Sequence, residues 1–557
     1  MDVFDTIIIG AGSAGCVLAG QLSADKSRQI LLLEAGGKDT SPWVHIPIGY
    51  GKTFFHPDLN WQYETEPEPA LDGRKGYWPR GKVVGGSGAI NAMIYARGLP
   101  HDFDDWQDAG AAGWNADTVT AAYDAMETHI AVDGTETSPE TGSKTSSKSG
   151  SKTSSKISMG PMTVQDVSDQ THPVSRYFFD AANELNYPCH NNYNHPPYEG
   201  AITYRINTKN GRRNASSRAF LKPALRRSNL TLRVKAQVDR IHFEENRAVA
   251  VSYIWRGKRH MVRAKTDIIL SAGSIASPAI LQRSGIGDGH LLNQHGITPV
   301  VDNPNVGAHM QDHLGINYYF KANQPTLNNV LHSWPGRIKL ALQYALTRRG
   351  PMALSVNQCG GYFRSNADMK RPDQQIYFNP VTYTTTPAGT RTIINTDPFP
   401  GFIIGFSPTR PTSRGQIQIA DADPTSKPRI MPNSLATNQD CQMVVDGAKL
   451  CRAFANTDSM KRLIDAPFHA DVSQMSDDMM LDDFRKRSGT VFHPVGTCRM
   501  GADAKTAVVD HTMRVFGVDG LRVVDASVFP NITSANTNAP TMMLAWRVAQ
   551  QMMENRS

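Results

Sequence analysis

The tightest constraint on this chain lies in its first 34 residues. Thr6-Ile7-Ile8-Ile9 is a short, apolar, β-branched run that leads straight into Gly10-Ala11-Gly12-Ser13-Ala14-Gly15. Residues 14–24 are helix formers, and Gln29 to Leu33 is a second apolar run ending on Glu34. Strand, glycine turn, helix, strand and acid in that order predict a βαβ unit built around a bound anion. The first glycine permits the tight turn. The second lets backbone approach a pyrophosphate, the third lets helix and strand touch, and the helix N-terminus faces the phosphate charge. Glu34 is placed to accept hydrogen bonds from ribose hydroxyls. These residues call for a dinucleotide and do not separate FAD from NAD.

The rest of the chain alternates in the same way. Asp267 to Ser271 and Leu521 to Val524 read as further buried strands, Thr231 to Ile241 as a strand, and Thr541 to Glu554 as a helix without Gly or Pro. Between about 300 and 480 the runs are shorter and richer in Pro and Thr, as in Gly401–Phe406 and Gly415–Ile419. That pattern predicts an antiparallel sheet with its own helices. One low-complexity stretch, Gly142 to Lys156, repeats GSKTSSK and has no large apolar residue. It reads as a solvated surface insertion, with an electrostatic handle for an anionic surface or nucleic acid as the alternative.

Composition excludes several classes. Net charge is +7 over 557 residues, and more than half of it comes from the four lysines of that insertion. Charge alone therefore gives little ground for a nucleic-acid partner, and none is expected. No run approaches the ~18 apolar residues of a membrane span. Met1 is followed by Asp2, and the first apolar run breaks at glycine, so no secretory signal is expected and a cytoplasmic location is. Six cysteines without CxxC spacing predict free thiols, with neither a disulfide scaffold nor a zinc site.

Four further motifs are long and irregular. They are Gly81-Lys-Val-Val-Gly-Gly-Ser-Gly-Ala-Ile-Asn91 continuing to Asp104, Gly273 to Gly287, His493-Pro-Val-Gly-Thr-Cys-Arg-Met-Gly501, and Val524-Asp-Ala-Ser followed by Asn536-Thr-Asn-Ala-Pro-Thr541. With the N-terminal unit they resemble the glucose–methanol–choline (GMC) family of FAD oxidoreductases, from residue 7 to about 550. The insertion at 142–156 departs from the family pattern. The resemblance implies an α/β fold: a Rossmann-like FAD-binding domain with a second, α+β substrate domain on a mixed or antiparallel sheet. The expected division is 1–160, 206–300 and 481–557 for the FAD domain, and 161–205 and 301–480 for the substrate domain.

The resemblance also implies cofactor contacts. Gly10, Gly12, Ser13, Ala14 and Gly15 are expected at the pyrophosphate, and Glu34 and Ala35 at the ribose. Trp61, Lys82, Val84, Gly85, Asn91, Ala92, Met93 and Ile94 are expected beside the flavin, and Val238 at the adenine. Ala272, Asp525 and Ala526 are expected along the ribityl and phosphate chain, and Asn538 and Thr541 at the pyrimidine edge. Some relatives attach FAD through a histidine just before the asparagine of the first motif. Ile90 stands there, so FAD is expected to be non-covalent. No metal is expected.

The implied reaction is oxidation of a primary alcohol to an aldehyde, with hydride passing to the flavin. His493 matches the catalytic histidine and is expected to handle the hydroxyl proton. Asn538 matches the second catalytic position, where its amide would donate to the substrate oxygen; Asn536 is expected to fix the loop. Tyr383, Phe399, Phe402, Phe406 and Phe492 are candidate pocket residues. A neutral alcohol fits better than choline, because no carboxylate and aromatic cage can be located. Oxygen and a quinone-type compound both remain open as electron acceptor. A lyase of the same fold and a non-catalytic flavoprotein are the rival readings.

Overall fold

The structure, a computed structural model, describes residues 1–137, 159–383 and 395–554. The insertion at 142–156 lies outside the described residues. The N-terminal strand Asp2–Ile9 is fully buried over its last four residues. It runs parallel to Ile30–Glu34 on one side and to Lys258–Leu270 on the other. Leu230–Val234 adds to the first flank, and Leu521–Val523 pairs in parallel with the end of Lys258–Leu270. Two antiparallel neighbours, Arg247–Trp255 and Ala236–Glu244, complete a seven-stranded sheet. Strands buried on both faces need continuous apolar runs, and Ile7-Ile8-Ile9, Ile30-Leu31-Leu32-Leu33 and Ile268-Ile269-Leu270 supply them. Helices Ser13–Leu22 and Asn538–Glu554 pack into the same core through Val17, Leu18, Met542 and Leu544.

A second sheet of eight strands is mainly antiparallel. Its centre is Leu314–Ala322, Gly401–Pro408, Gln374–Asn379 and Cys359–Phe363. Phe178, Phe378, Phe402 and Phe454 form an aromatic core behind it with helices Ser175–Glu184 and Asn438–Ala455. Among the described residues no helix is long and apolar enough to cross a membrane.

One expectation is corrected, and two packing features cut across the expected division. The single strand expected over 231–241 is two, because Lys235 between them takes a left-handed φ of 54°, a conformation strands do not carry. The division expected at 480/481 falls inside helix Asp477–Arg487, whose Met480 and Phe484 belong to the second core, and strand Gly489–Thr490 still pairs with Leu314–Ala322. Within 301–480, Ile417 and Ile430 of a small hairpin pack against Tyr63, Trp78 and Ile275 rather than against the second core. The helices expected at 14–24 and 541–554 run as Ser13–Leu22 and Asn538–Glu554.

Candidate active site

A cavity of about 640 Å³ runs between the two sheets. One end is the βαβ unit. Gly10 has φ +99°, and a Cβ there would sit 2.4 Å from the Ser271 carbonyl oxygen; a Cβ on Gly15 would sit 1.8 Å from the Gly10 carbonyl. Only glycine allows the strand, turn and helix to meet this closely. The helix opens at Gly12 with no side-chain cap and no acid in its first turn, and Gly12, Ser13 and Ala14 line the cavity. Uncapped N–H groups at a helix start suit a phosphate. Glu34 accepts one hydrogen bond per carboxylate oxygen, from the N–H groups of Ala11 and Gly36, each at 2.8 Å. Each oxygen keeps a lone pair for the cavity. Burial pushes this carboxyl up to about 7, against the pull of the two N–H groups.

Midway, Asp525 accepts from Gly273 N–H at 2.9 Å, from the Ser277 hydroxyl at 2.6 Å and from Ser527 N–H at 2.8 Å. The turn at 91–94 is held by Arg213, which sequence reading missed. Its buried guanidinium donates to the Asn91 Oδ1 and carbonyl, each at 2.6 Å, and to the carbonyls of Gly88 and Val44. Asn91 Oδ1 also accepts from Met93 N–H, and Met93 takes φ +66°. Ile90 lines the cavity at this point. Lys82 stands 4.5 Å from the Trp61 ring centroid.

At the other end stands His493, buried after the left-handed Phe492 (φ +72°). Asp312 accepts from His493 N–H at 2.7 Å and from the Thr490 hydroxyl, and Arg80 donates to the Phe492 carbonyl at 2.6 Å. These contacts fix the turn that presents the imidazole. Burial lowers the His493 pKa well below the ordinary range of histidine, and His313 and Arg80 lower it further. Burial likewise pushes Asp312 up to about 7 and His313 down to about 4.

The hydrogen bonds determine the tautomer. His313 Nε2 lies 2.8 Å from the Thr409 carbonyl, which only accepts, so His313 carries its proton on Nε2. Its Nδ1 is then a bare acceptor, 3.0 Å from His493 Nδ1. His493 must hold its proton on Nδ1, which leaves Nε2 basic. That nitrogen meets Asn536 Nδ2 at 3.1 Å. The Asn536 amide is oriented by Gln375, whose Nε2 donates to Asn536 Oδ1 at 3.3 Å and whose Oε1 accepts from the Tyr377 hydroxyl at 2.8 Å. His493, Asn536 and Tyr377 all line the cavity.

The asparagine beside His493 is therefore Asn536; Asn538, expected there, also lines the cavity but is bonded to Ser13 instead. The last helix begins at Asn538, whose Oδ1 accepts from the Ser13 hydroxyl at 2.7 Å, while Asn536 lies in the preceding loop. Of the other expected cofactor contacts, Gly10, Ala35, Trp61, Lys82, Ala92, Met93, Ile94, Val238, Ala272, Asp525, Ala526 and Thr541 line the cavity. Gly15, Val84 and Gly85 do not: Gly15 packs on Gly10, Val84 belongs to the main core, and Gly85 N–H is bonded to the Ala11 carbonyl at 2.7 Å. Of the candidate pocket aromatics, Tyr383, Phe406 and Phe492 line the cavity. Phe402 stacks on Phe320 and Phe399 packs edge-on to Phe468. Asp312 and His313 are a further miss; their signal was an Asp-His pair just before an apolar strand.

A two-sheet α/β molecule with a dinucleotide cradle at one end of its cavity and a buried histidine at the other has the architecture of GMC flavoenzymes. Sequence comparison agrees. The GMC oxidoreductase pattern matches residues 4–315 with its N-terminal part and 411–545 with its C-terminal part. The chain is 36% identical to an "Alcohol dehydrogenase [acceptor]" of Pseudomonas putida, over 98% of this chain and 95% of that one. It is also 36% identical to an "Oxygen-dependent choline dehydrogenase" of Vibrio vulnificus, over 99% and 95%. The crystal structure of pyridoxine 4-oxidase from Mesorbium loti superposes with a TM-score of 0.83 at 27% identity, covering 99% of both chains. The chain belongs to the GMC oxidoreductase family, and is an oxidoreductase of a family whose members bind FAD and act on CH–OH donors. Its residues fit that cofactor: the uncapped helix start suits a pyrophosphate, Glu34 keeps free lone pairs for hydroxyls, and the cavity joins both to His493.

Proposed function

We propose that this protein oxidises a neutral primary alcohol to its aldehyde, using FAD held without a covalent bond. The observation that carries the reading is the paired presentation of a bare His493 Nε2 and the Asn536 amide at the end of the cavity remote from Glu34. FAD, when bound, supplies the two-electron acceptor for the carbinol hydride. Gly12, Ser13 and Ala14 would hold its pyrophosphate, Glu34 its ribose, and the 91–94 turn its ring. The alcohol oxygen would bridge the two side chains at the far end. His493 Nε2 takes the hydroxyl proton while Asn536 Nδ2 donates to the oxygen as alkoxide character develops. Tyr383, Phe406 and Phe492 contribute apolar wall to the cavity.

A quaternary ammonium substrate is disfavoured. The acids that line the cavity among the described residues, Glu34 and Asp525, are both engaged by N–H groups away from His493, whereas Arg80 stands near it. A cytoplasmic setting accords with six unpaired thiols, four of them buried. The test is a panel of alcohols mixed anaerobically with the holoenzyme and followed at the flavin band near ~450 nm. Bleaching by a neutral primary alcohol supports the reading; a flavin that stays yellow with every alcohol overturns it in favour of lyase chemistry. Recolouring on admission of air identifies oxygen as acceptor; its absence points to a quinone-type acceptor.

Two further outcomes are expected. Acid or heat denaturation should release all yellow colour into the filtrate, because Ile90 offers no nucleophile where a histidine would attach the flavin; colour left on the chain refutes this. Asn536→Ala and Asn538→Ala should separate. Asn536→Ala is expected to lower kcat by ~10-fold or more with FAD content unchanged, as one oxygen-stabilising donor is lost. Asn538→Ala should weaken FAD retention, because it unties the last helix from Ser13, with kcat per bound flavin near normal. The reverse pattern would return the catalytic role to Asn538.

A further inference from the structure

We propose that helix Trp334–Thr347 is a docking element that seats the protein on an anionic phospholipid surface. The helix has two apolar faces. One is inward: Leu340 and Tyr344 are buried, and the Tyr344 hydroxyl donates to the Gly211 carbonyl at 3.0 Å. The other faces water. Trp334, Ile338, Leu342 and Leu346 recur every fourth residue and are 74%, 57%, 58% and 84% exposed. That spacing stacks them in one ridge, with exposed Ala341 and Ala345 between. Single exposed apolar residues are ordinary, but four in register on one well-formed helix are a patch. The helix is rigid: Ser333 caps it through Gly336 N–H at 3.2 Å, proline occupies its first turn, and Arg348 closes it in a left-handed conformation.

Charge chooses the partner. No Asp or Glu occurs between Asp312 and Asp368, whereas Arg337, Lys339, Arg348 and Arg349 flank the ridge. Arg349 pairs with Asp169. Among the described residues Arg337, Lys339 and Arg348 have no carboxylate partner. Arg337 and Arg348 instead lie 5.6 Å and 5.0 Å from the rings of Trp334 and Tyr344. A rigid helix with an outward tryptophan and leucine ridge, bordered by three cations without a carboxylate partner among the described residues, has the composition of an interfacial membrane helix. A second copy of the chain fits less well. Fourteen residues span about 21 Å at a width of about 10 Å, far short of the ~800 Å² per partner of a stable protein interface. The preceding turn Leu327–Leu331 packs in one cluster with Tyr50, Val356 and Tyr383, which line the cavity.

The test is vesicle flotation of the holoenzyme, and it does not depend on the reading of the reaction. Vesicles of phosphatidylcholine with about one-third phosphatidylglycerol should carry the protein at low salt, and pure phosphatidylcholine vesicles should carry at least ~10-fold less. The Leu342→Glu/Leu346→Glu double variant should lose at least ~10-fold in partitioning on the anionic vesicles. Its FAD content and its turnover of a water-soluble alcohol without vesicles should be unchanged, since both side chains already face solvent. Lys339→Glu/Arg348→Glu should lose binding in the same way. Three results overturn the proposal: wild-type protein that stays off anionic vesicles at low salt, equal flotation by the Leu342/Leu346 variant, or a wild-type dimer in sedimentation that this variant dissociates while vesicle binding is absent.

Discussion

Replacing His493 by alanine is expected to lower kcat by about 10²–10⁴-fold, the usual range for a lost general base, while the protein keeps its full complement of FAD. The two halves of the expectation have different origins. The imidazole is buried at the end of the cavity remote from Gly12 and Glu34, so its removal leaves the cofactor cradle intact. The turn that carries it is held by backbone contacts to Asp312 and Arg80, which alanine retains. The proton, however, loses its acceptor, because Asn536 is not basic near neutral pH. The measurement is anaerobic flavin reduction by a saturating alcohol, with FAD content read separately. Normal reduction rates would remove His493 from the mechanism. A pH expectation accompanies it. A base must be neutral to act, and burial, His313 and Arg80 all lower the His493 pKa. The acid limb of kcat/KM assigned to this group should therefore fall below the ordinary histidine value of 6.5. A limb above that value would contradict the burial argument.

The parts of the site that could be read from sequence are those where backbone geometry dictates the residue. Gly10 and Gly15 are required by contacts of 2.4 Å and 1.8 Å that any Cβ would make, so strand, turn and cradle followed from spacing alone. Side-chain direction could not be read so well. Asn536 and Asn538 stand two residues apart in one motif, and the start of the last helix between them decides which reaches His493 and which reaches Ser13. Arg213 and His313 were invisible for another reason. Each comes from a segment more than 100 residues from its partner, and the one local mark, the Asp-His pair at 312–313, does not say which residue it faces. The break at Lys235 was hidden because both flanking strands are apolar enough to read as one. The ridge at 334–346 was present in the periodicity, but only burial of Leu340 and Tyr344 shows that its other face is left to solvent.

His313→Leu is expected to lower kcat by about 10²–10³-fold, and His313→Asn to restore most of that loss. The argument concerns which nitrogen of His493 holds the proton. His313 accepts from His493 Nδ1 at 3.0 Å because its own proton is spent on the Thr409 carbonyl at 2.8 Å. Leucine removes the acceptor. His493 can then turn over or carry its proton on Nε2, and in either state the nitrogen that faces the alcohol is no longer bare. Loss of a group that fixes a catalytic histidine's tautomer costs about 10⁴-fold in serine proteases; here Asn536 still meets Nε2, so a smaller loss is expected. Asparagine keeps an oxygen that accepts where Nδ1 did, although its shorter amide does not reach the Thr409 carbonyl as Nε2 does. It cannot serve as a base, so rescue by asparagine assigns His313 to positioning, and failure of both variants alike would make it a proton carrier in its own right. FAD content and melting temperature, measured alongside, separate either result from misfolding, since leucine also leaves the Thr409 carbonyl without its donor. The KM against kcat split gives the last discrimination: a tautomer error depresses kcat with little change in KM, whereas a collapsed pocket raises KM as well.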